Sequence, residues 1–446
     1  MIAKSCFFRL LPIALLLVIS SMFAWSQTAP RSRKPGAKDS PPSTFKLVSI
    51  QVTGANRFAV QDIIVETGLQ IGRSASEADF QQASQRLGAS GAFSDISYKY
   101  EYAPAGTKLE FQVKEKDADE YVPARFDNLV WFSDQELREK LREGAPLFHG
   151  ELPLTGSMPD QVLEILQALL AEKKVPGRLD YLRLSKQDGP VTAIVFTVTG
   201  PHVRIRNVDF TGASAEVQLP LRAAAKEIQG QEYLRSFLEV QASKVLLPVF
   251  LQRGFLKAAF ADAQAKIVHA DPENQDVLVD VTFPVVPGLQ YKFTGVRWLG
   301  NTIFPAEELL PLIQLRTGQP VNAVQLDTDL ETVRNLYGSH GYVLAHIAAV
   351  PHMDDAASTV RYELQVQEGD LYRMGELEIQ GLDSQIRARL IEAWQLRAGE
   401  PYDASYLKRF LEGANKIVTA NSKASVLEAP DQHDKTVDVT VRFDTR

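Results

Sequence analysis

Cysteine is almost absent: Cys6 stands alone in 446 residues. It lies ahead of an N-terminal apolar run, whereas a lipoprotein cleavage cysteine would follow that run. No disulfide framework or cysteine metal site is open to the chain, so its stability must come from packed cores. A basic excess is missing too. Lys and Arg number 48 against 55 Asp and Glu, a net charge of −7, which argues against a dedicated nucleic-acid binder. Catalytic signatures are also lacking: there is no Gly-x-Ser-x-Gly elbow, no His-Glu-x-x-His and no phosphate loop. Carboxylates such as Glu363 and Asp438 are spread over solvent-facing strand positions. An enzyme is therefore not expected, and neither is a cofactor or a metal.

The histidines offer the sharpest metal prospect, because His340, His346 and His352 are evenly spaced ahead of Asp354 and Asp355. On one strand, at about 3.3 Å per residue, His346 and His352 stand roughly 20 Å apart and cannot share an ion. They read as surface histidines. His149, His202, His269 and His433 are isolated.

The composition, 45% hydrophobic and 23% charged, is that of ordinary globular protein. Lys4 and Arg9 precede the apolar run Leu10 to Phe23, about 14 residues and short for a bilayer span. Ala24-Trp25-Ser26 supplies small residues for cleavage. Residues 1–26 read as a secretory signal, with an uncleaved anchor as the alternative. Residues 27–43, rich in proline and basic residues, read as a flexible tether.

What the sequence does have is a repeat. Leu-Arg-x-Gly-x-Pro occurs at 141–146, 315–320 and 396–401. The last two copies are about 80 residues apart and the first two about twice that, the mark of an array of small units. A strand running into glycine opens each unit, at Gly54, Gly212, Gly300 and Gly381. A short helix follows, ended by the Gly-x-Pro segment acting as a cap. A longer helix comes next. Asn322 with Gln325 and Ser76 with Asp79 look like capping arrangements, and Asp403 like an N-cap. Leu326, Leu330, Val333 and Tyr337 share one face of that helix in the fourth unit. It ends at glycine and an aromatic, as in Gly254-Phe255 and Gly341-Tyr342.

Two strands close the unit. Ile96, Tyr98, Tyr100 and Tyr102 alternate on one, and Leu109, Phe111 and Val113 on the next. The order strand-helix-helix-strand-strand predicts an α+β unit, a three-stranded mixed sheet with two helices on one face. Five such units fill residues 44–116, 120–200, 201–287, 288–369 and 370–446. The second is the least regular, with a Pro/Gly-rich excursion from Leu147 to Pro159 before a helix from Asp160 to Lys174. Pro248 should kink the long helix of the third.

This order, carried by the strand-ending glycines Gly54, Gly300 and Gly381, the Gly-x-Pro segments, and the Gly-aromatic steps at 254–255 and 341–342, resembles the polypeptide-transport-associated (POTRA) repeats. Those repeats form the periplasmic part of the outer-membrane barrel-assembly family. The resemblance implies a periplasmic or outer-membrane-associated scaffold. Its expected partners are unfolded or extended polypeptides, outer-membrane barrel proteins or assembly subunits. It also implies binding by strand addition at sheet edges. The expected edges are Ile96–Tyr102 and Val343–Val350, with Ile96, Tyr98, Tyr100, Tyr102, Val343, Ala345, His346, Ile347 and Ala349 as candidate residues. Tyr98, Tyr100 and Tyr102 also read as packing under helices, and Val343, Ala345, Ile347 and Ala349 as a buried strand face. Members that assemble barrels continue into a barrel, and even eight strands would need on the order of 100 residues beyond Arg446; insertion activity is therefore not expected of this chain. Two alternatives remain open: an envelope adaptor holding one folded partner, and an enzyme with a site at a module junction.

Overall fold

The computed structural model describes residues 45–185, 189–271, 275–414, 417–418 and 422–445. The signal and tether readings at 1–26 and 27–43 lie outside them.

The first module runs β1 (Phe45–Thr53), α1 (Val60–Thr67), β2 (Ser74–Ala75), α2 (Glu77–Ser90), β3 (Phe93–Ala103) and β4 (Gly106–Glu115). The second runs β5 (Tyr121–Phe126), α3 (Asp134–Gly144), β6 (Glu151–Pro153), α4 (Met158–Glu172), β7 (Arg178–Ser185) and β8 (Val191–Thr199). The third comprises β9 (His202–Thr211), α5 (Ala215–Ala224), α6 (Arg235–Gln241), α7 (Leu247–Leu251), β10 (Ala259–Phe260), β11 (Gln264–Asp271) and β12 (Asp276–Val286). The fourth has β13 (Lys292–Leu299), α8 (Ala306–Leu309), α9 (Ala323–Ser339), β14 (His346–Asp354) and β15 (Thr359–Gln367). The fifth has β16 (Arg373–Gln380), α10 (Ser384–Ala393), α11 (Tyr406–Ala414), β17 (Ser422–Asp431) and β18 (Thr436–Thr445).

The last strand of each module lies at the centre of its sheet. It pairs parallel with the first strand and antiparallel with the strand before it. Its alternate residues are buried: Phe111 and Val113 in β4, Val279 and Val281 in β12, Val439 and Val441 in β18. Burying each such side chain contributes about 1.5–3 kcal/mol, which helps a unit of this size hold its fold. The cores of modules three, four and five are separate, whereas modules one and two share one continuous core.

The strand-ending glycine has a steric cause. Gly54, Gly212, Gly300 and Gly381 all hold φ between 80° and 86°. A Cβ on any of them would overlap a carbonyl oxygen of the central strand, that of Val113, Val285, Val366 or Phe443. The second module has no glycine here. Asn128 takes its place, and its buried side-chain amide bonds both backbone groups of the matching Val198, at 2.9 and 2.8 Å.

The Leu-Arg-x-Gly-x-Pro segments differ from expectation. Gly318 and Gly399 do not cap a helix. Each sits at positive φ in a turn beyond the helix end and launches a short antiparallel bridge to the first strand. Gly318 N–H donates to Phe293 C=O at 2.8 Å, and Phe293 N–H donates to Gln319 C=O at 2.9 Å. Gly72 and Gly230 do the same in modules one and three, and in module two Gly150 precedes β6. The copy at 141–146 is not equivalent. Gly144 is the last residue of α3, close against α4, where an added Cβ would meet Ile165 Cδ1 at 2.7 Å. The excursion at 147–159 supplies the true counterpart, β6, and α4 begins at Met158 rather than Asp160.

Helix signals at other positions hold. Ser76 and Asp79 form a reciprocal capping box, and the Asn322 side chain accepts from Gln325 N–H at 2.9 Å. Pro248 is accommodated by a π-helical turn at Ala242–Leu246 that separates α6 from α7.

Candidate polypeptide-binding edges

The topology leaves each sheet with two unlike edges. On the first-strand side, the post-turn segment pairs with the strand as β2, as β6 or as a bridge at Glu232, Pro320 or Pro401. On the other side stand β3, β7, β10 with β11, β14 and β17. Each pairs only with the central strand of its own module among the described residues. Alternate N–H and C=O groups of such a strand point away from the sheet and are open to a further strand.

The sequence places the first edge well. Ile96, Tyr98, Tyr100 and Tyr102 all lie on β3. The Tyr98 and Tyr100 rings pack against Phe80 of α2, at 6.4 and 5.3 Å between centroids. Tyr102 continues the row outward and is 47% exposed. Burial, then the Glu77 carboxylate, raises the Tyr100 hydroxyl above its usual range, so it stays protonated. On the opposite face Lys99 pairs with Glu110 at 3.0 Å, across to the central strand.

The fourth-module edge needs correction. The strand is β14, His346–Asp354, and not 343–350. Val343 and Ala345 precede it in the turn that follows Gly341. Val343 packs against the core of the fifth module and Ala345 against that of the fourth. His346, Ile347 and Ala349 are on the strand, with Ile347 buried. The helix-ending glycine needs room for a joint to the next module, so the chain makes a further turn before the strand begins. Pro351 falls within β14 and Pro430 within β17. A proline offers no N–H there, which shortens the stretch open to pairing. β3, β7 and β11 contain none.

Sequence reasoning missed β7. Its Leu182 and Leu184 project from the sheet face away from the helices, and Leu182 is 75% exposed. Two leucines on the solvent parity of a strand, alternating with Tyr181 and Arg183, were the available signal. Of the histidines, His346 and His352 pair with Gln367 and Arg361 at separate points of the β14–β15 ladder. Among the described residues no group of three His, Cys, Asp or Glu could hold a metal ion. No described helix is long and apolar enough to cross a membrane.

A row of small α+β sheets, each with one covered and one open edge among the described residues, defines the class: a modular repeat array. The POTRA family model, described as a surface antigen variable number repeat, matches residues 291–369, the fourth module. The other four modules repeat the element order of that matched segment.

A Treponema pallidum (strain Nichols) protein carrying the provisional name outer membrane protein assembly factor is 24% identical over 227 residues, covering 50% of this chain and 27% of that protein. The outer membrane protein assembly factor BamA of Buchnera aphidicola is 20% identical over 334 residues, 72% of this chain and 52% of that protein. In crystals of BamA POTRA domains 3 to 5 from Haemophilus influenzae, the match is 19% identical with a TM-score of 0.43, over 55% of this chain and 98% of that one. The chain thus spans about a quarter to about half of these curated relatives, 27% and 52%.

Proposed function

We propose that this protein is a non-enzymatic periplasmic scaffold in outer-membrane protein assembly, binding extended polypeptides or assembly subunits by strand addition. The observation that carries the reading is the one-sided pairing of β3, β7, β11, β14 and β17. An incoming strand gains main-chain hydrogen bonds whatever its sequence, which suits a scaffold serving many clients. Several edges on one chain raise avidity, because a client held at one edge is at high effective concentration for the next. The names of the relatives point to outer-membrane protein assembly as the setting.

The test uses an unfolded barrel polypeptide diluted from urea and photo-crosslinkers placed at Ser97 on β3 and Ala348 on β14. Crosslinks from both positions to several unrelated unfolded chains support the reading. Crosslinks to one folded partner alone, with none to unfolded chains, replace it with a fixed adaptor.

A further inference from the structure

The five open edges are not equally ready to pair. Pro351 interrupts β14, Pro430 interrupts β17, and a bulge between Ile267 and His269 breaks the register of β11. In β7 side chains already take two N–H groups: Gln167 Oε1 accepts from Leu179 and the Asp180 carboxylate from Tyr181, each at 2.8 Å. Such obstacles keep sheet edges from joining. β3 is the longest of the five and has no proline, and its one irregularity, between Phe93 and Asp95, lies at the end that joins module two. Its remaining deterrent is the charge of Lys99, and Glu101, two residues along the same face, supplies the opposite charge.

That pattern makes β3 complementary to itself in one register. Consider antiparallel pairing with β3 of a second copy about a twofold axis at Tyr100. Lys99 then stands opposite Glu101, twice, Tyr98 opposite Tyr102, twice, and Tyr100 opposite itself. Moving the axis to Lys99 or Glu101 sets like charges against each other. Placing it between residues sets the tyrosine face against the charged face. Opposite charges and aromatic pairs directly across two strands stabilise the pairing, and like charges oppose it. Within one copy Glu101 faces Lys108 and Lys99 faces Glu110 on β4. The joined sheet thus carries rows of Lys108, Glu101, Lys99 and Glu110 that alternate in sign. Among the described residues Glu101 has no ion-pair partner inside its own chain, and the Lys99 side chain is 76% exposed.

The rest of the chain leaves room. Phe80, near the start of α2, packs on Tyr100, and Gly88, near its end, lies over Ile96. The helices of two copies therefore run away from the axis in opposite directions. Module two attaches beyond Phe93, where the Tyr121 hydroxyl meets Ala92 C=O. Phe93 is roughly 23 Å from Tyr100 at about 3.3 Å per residue.

We propose that the protein forms a twofold dimer in which β3 of one copy pairs antiparallel with β3 of a second, centred on Tyr100. The contact is small beside a standard interface, so the dimer is weak and concentration-dependent. It goes beyond polypeptide binding, because it needs the open edge but no client. Dimer and client-bound β3 exclude one another.

Sedimentation velocity on the full chain over a range of micromolar concentrations tests it, and a monomer–dimer equilibrium is expected. Lys99→Glu or Glu101→Lys sets like charges across the axis and should weaken dimerisation by about tenfold or more. Mixing the two variants restores opposite charges at both contacts and should recover a heterodimer. In a Cys6→Ser chain, Lys99→Cys mixed with Glu101→Cys should form a linked heterodimer on oxidation. Either alone should link poorly, because its cysteines lie on a diagonal of about 7–8 Å. Both positions are exposed, and unaltered circular dichroism confirms that the variants fold. A monomer at every concentration, variants that dimerise like the parent, or no recovery on mixing overturns the proposal. If that monomer still crosslinks unfolded polypeptide from Ser97, the client reading stands without the dimer. A dimer whose edges capture no unfolded polypeptide at any dilution supports this proposal and overturns the client reading.

Discussion

The junction between modules one and two and the junctions that follow module three are built to different plans. At the first, the chains interpenetrate. Gly91 and Gly156 lie backbone to backbone, each so close that a Cβ on either would overlap the other loop. The buried Tyr121 hydroxyl donates to Ala92 C=O at 2.9 Å, and burial pushes its pKa up to about 12. Arg57 pairs with Glu151, and His149 approaches Asp62 at 3.2 Å. The later junctions instead repeat one light device. The C=O of a helix-ending glycine, Gly254 or Gly341, accepts from the N–H of the tyrosine that opens the next module, Tyr291 or Tyr372, at 2.8 Å each. The cores stay separate. One half of the array is thus a fused block and the other a string of articulated units, as expected where coupling between repeats is set by their interfaces.

The most severe way to break this contrast is Gly156→Val. Positive φ of 100° and overlap with Gly91 together should cost about 2–6 kcal/mol. Denaturant melts read by tryptophan and circular dichroism should show modules one and two unfolding together, with module five unaffected. Separate transitions for the first two would refute a fused block. Next is Asp127→Ala, which removes the carboxylate that accepts from the Ser236 N–H at 2.7 Å and caps α6 of module three. A loss of about 1–3 kcal/mol is expected, along with a broader distance distribution between spin labels on modules two and three.

The repeat motif gives a smaller, paired test. Gly318→Ala strains a left-handed position and should cost about 1–2 kcal/mol. Gly144→Ala sits in a helix against the movable end of Ile165 and should stay within about 1 kcal/mol of the parent. Equal losses would mean that the two copies are equivalent after all.

Acid offers the mildest probe. Burial alone would raise the Glu368 carboxyl, but hydrogen bonds from Thr302, Ile303 and Tyr337 outweigh it and hold it below 4.5. The folded value being the lower one, this clamp stabilises module four fully above the unfolded value and is lost as pH falls through the folded value. Thermal melts between about pH 6 and about pH 3, either side of the ordinary carboxyl range, should show a steeper loss in the parent than in Glu368→Gln.

Much of this was legible in the sequence because each module states its topology locally. The alternation at Val437, Val439, Val441 and Phe443 marks a central strand, and Ser76 with Asp79 marks a helix start. The Val343–Val350 strand was misplaced by the same alternation, since Val343 satisfies it while packing, half-buried, against the next module's core. The sense of the 141–146 copy was hidden for a related reason: a six-residue string does not reveal whether its glycine is in a helix or a turn. The joint at Asp127 was not legible at all, because it brings together residues more than a hundred positions apart, such as Asp127 and Ser236.

The central claim is that the open edges of the middle strands carry the binding. Amide hydrogen exchange on the full chain, with and without an unfolded barrel polypeptide, addresses it most directly. The account predicts added protection at alternate amides of β3, β7, β11 and the proline-free part of β14, with the central strands unchanged. Protection confined to helices, or absent from every middle strand while the polypeptide is bound, would contradict it.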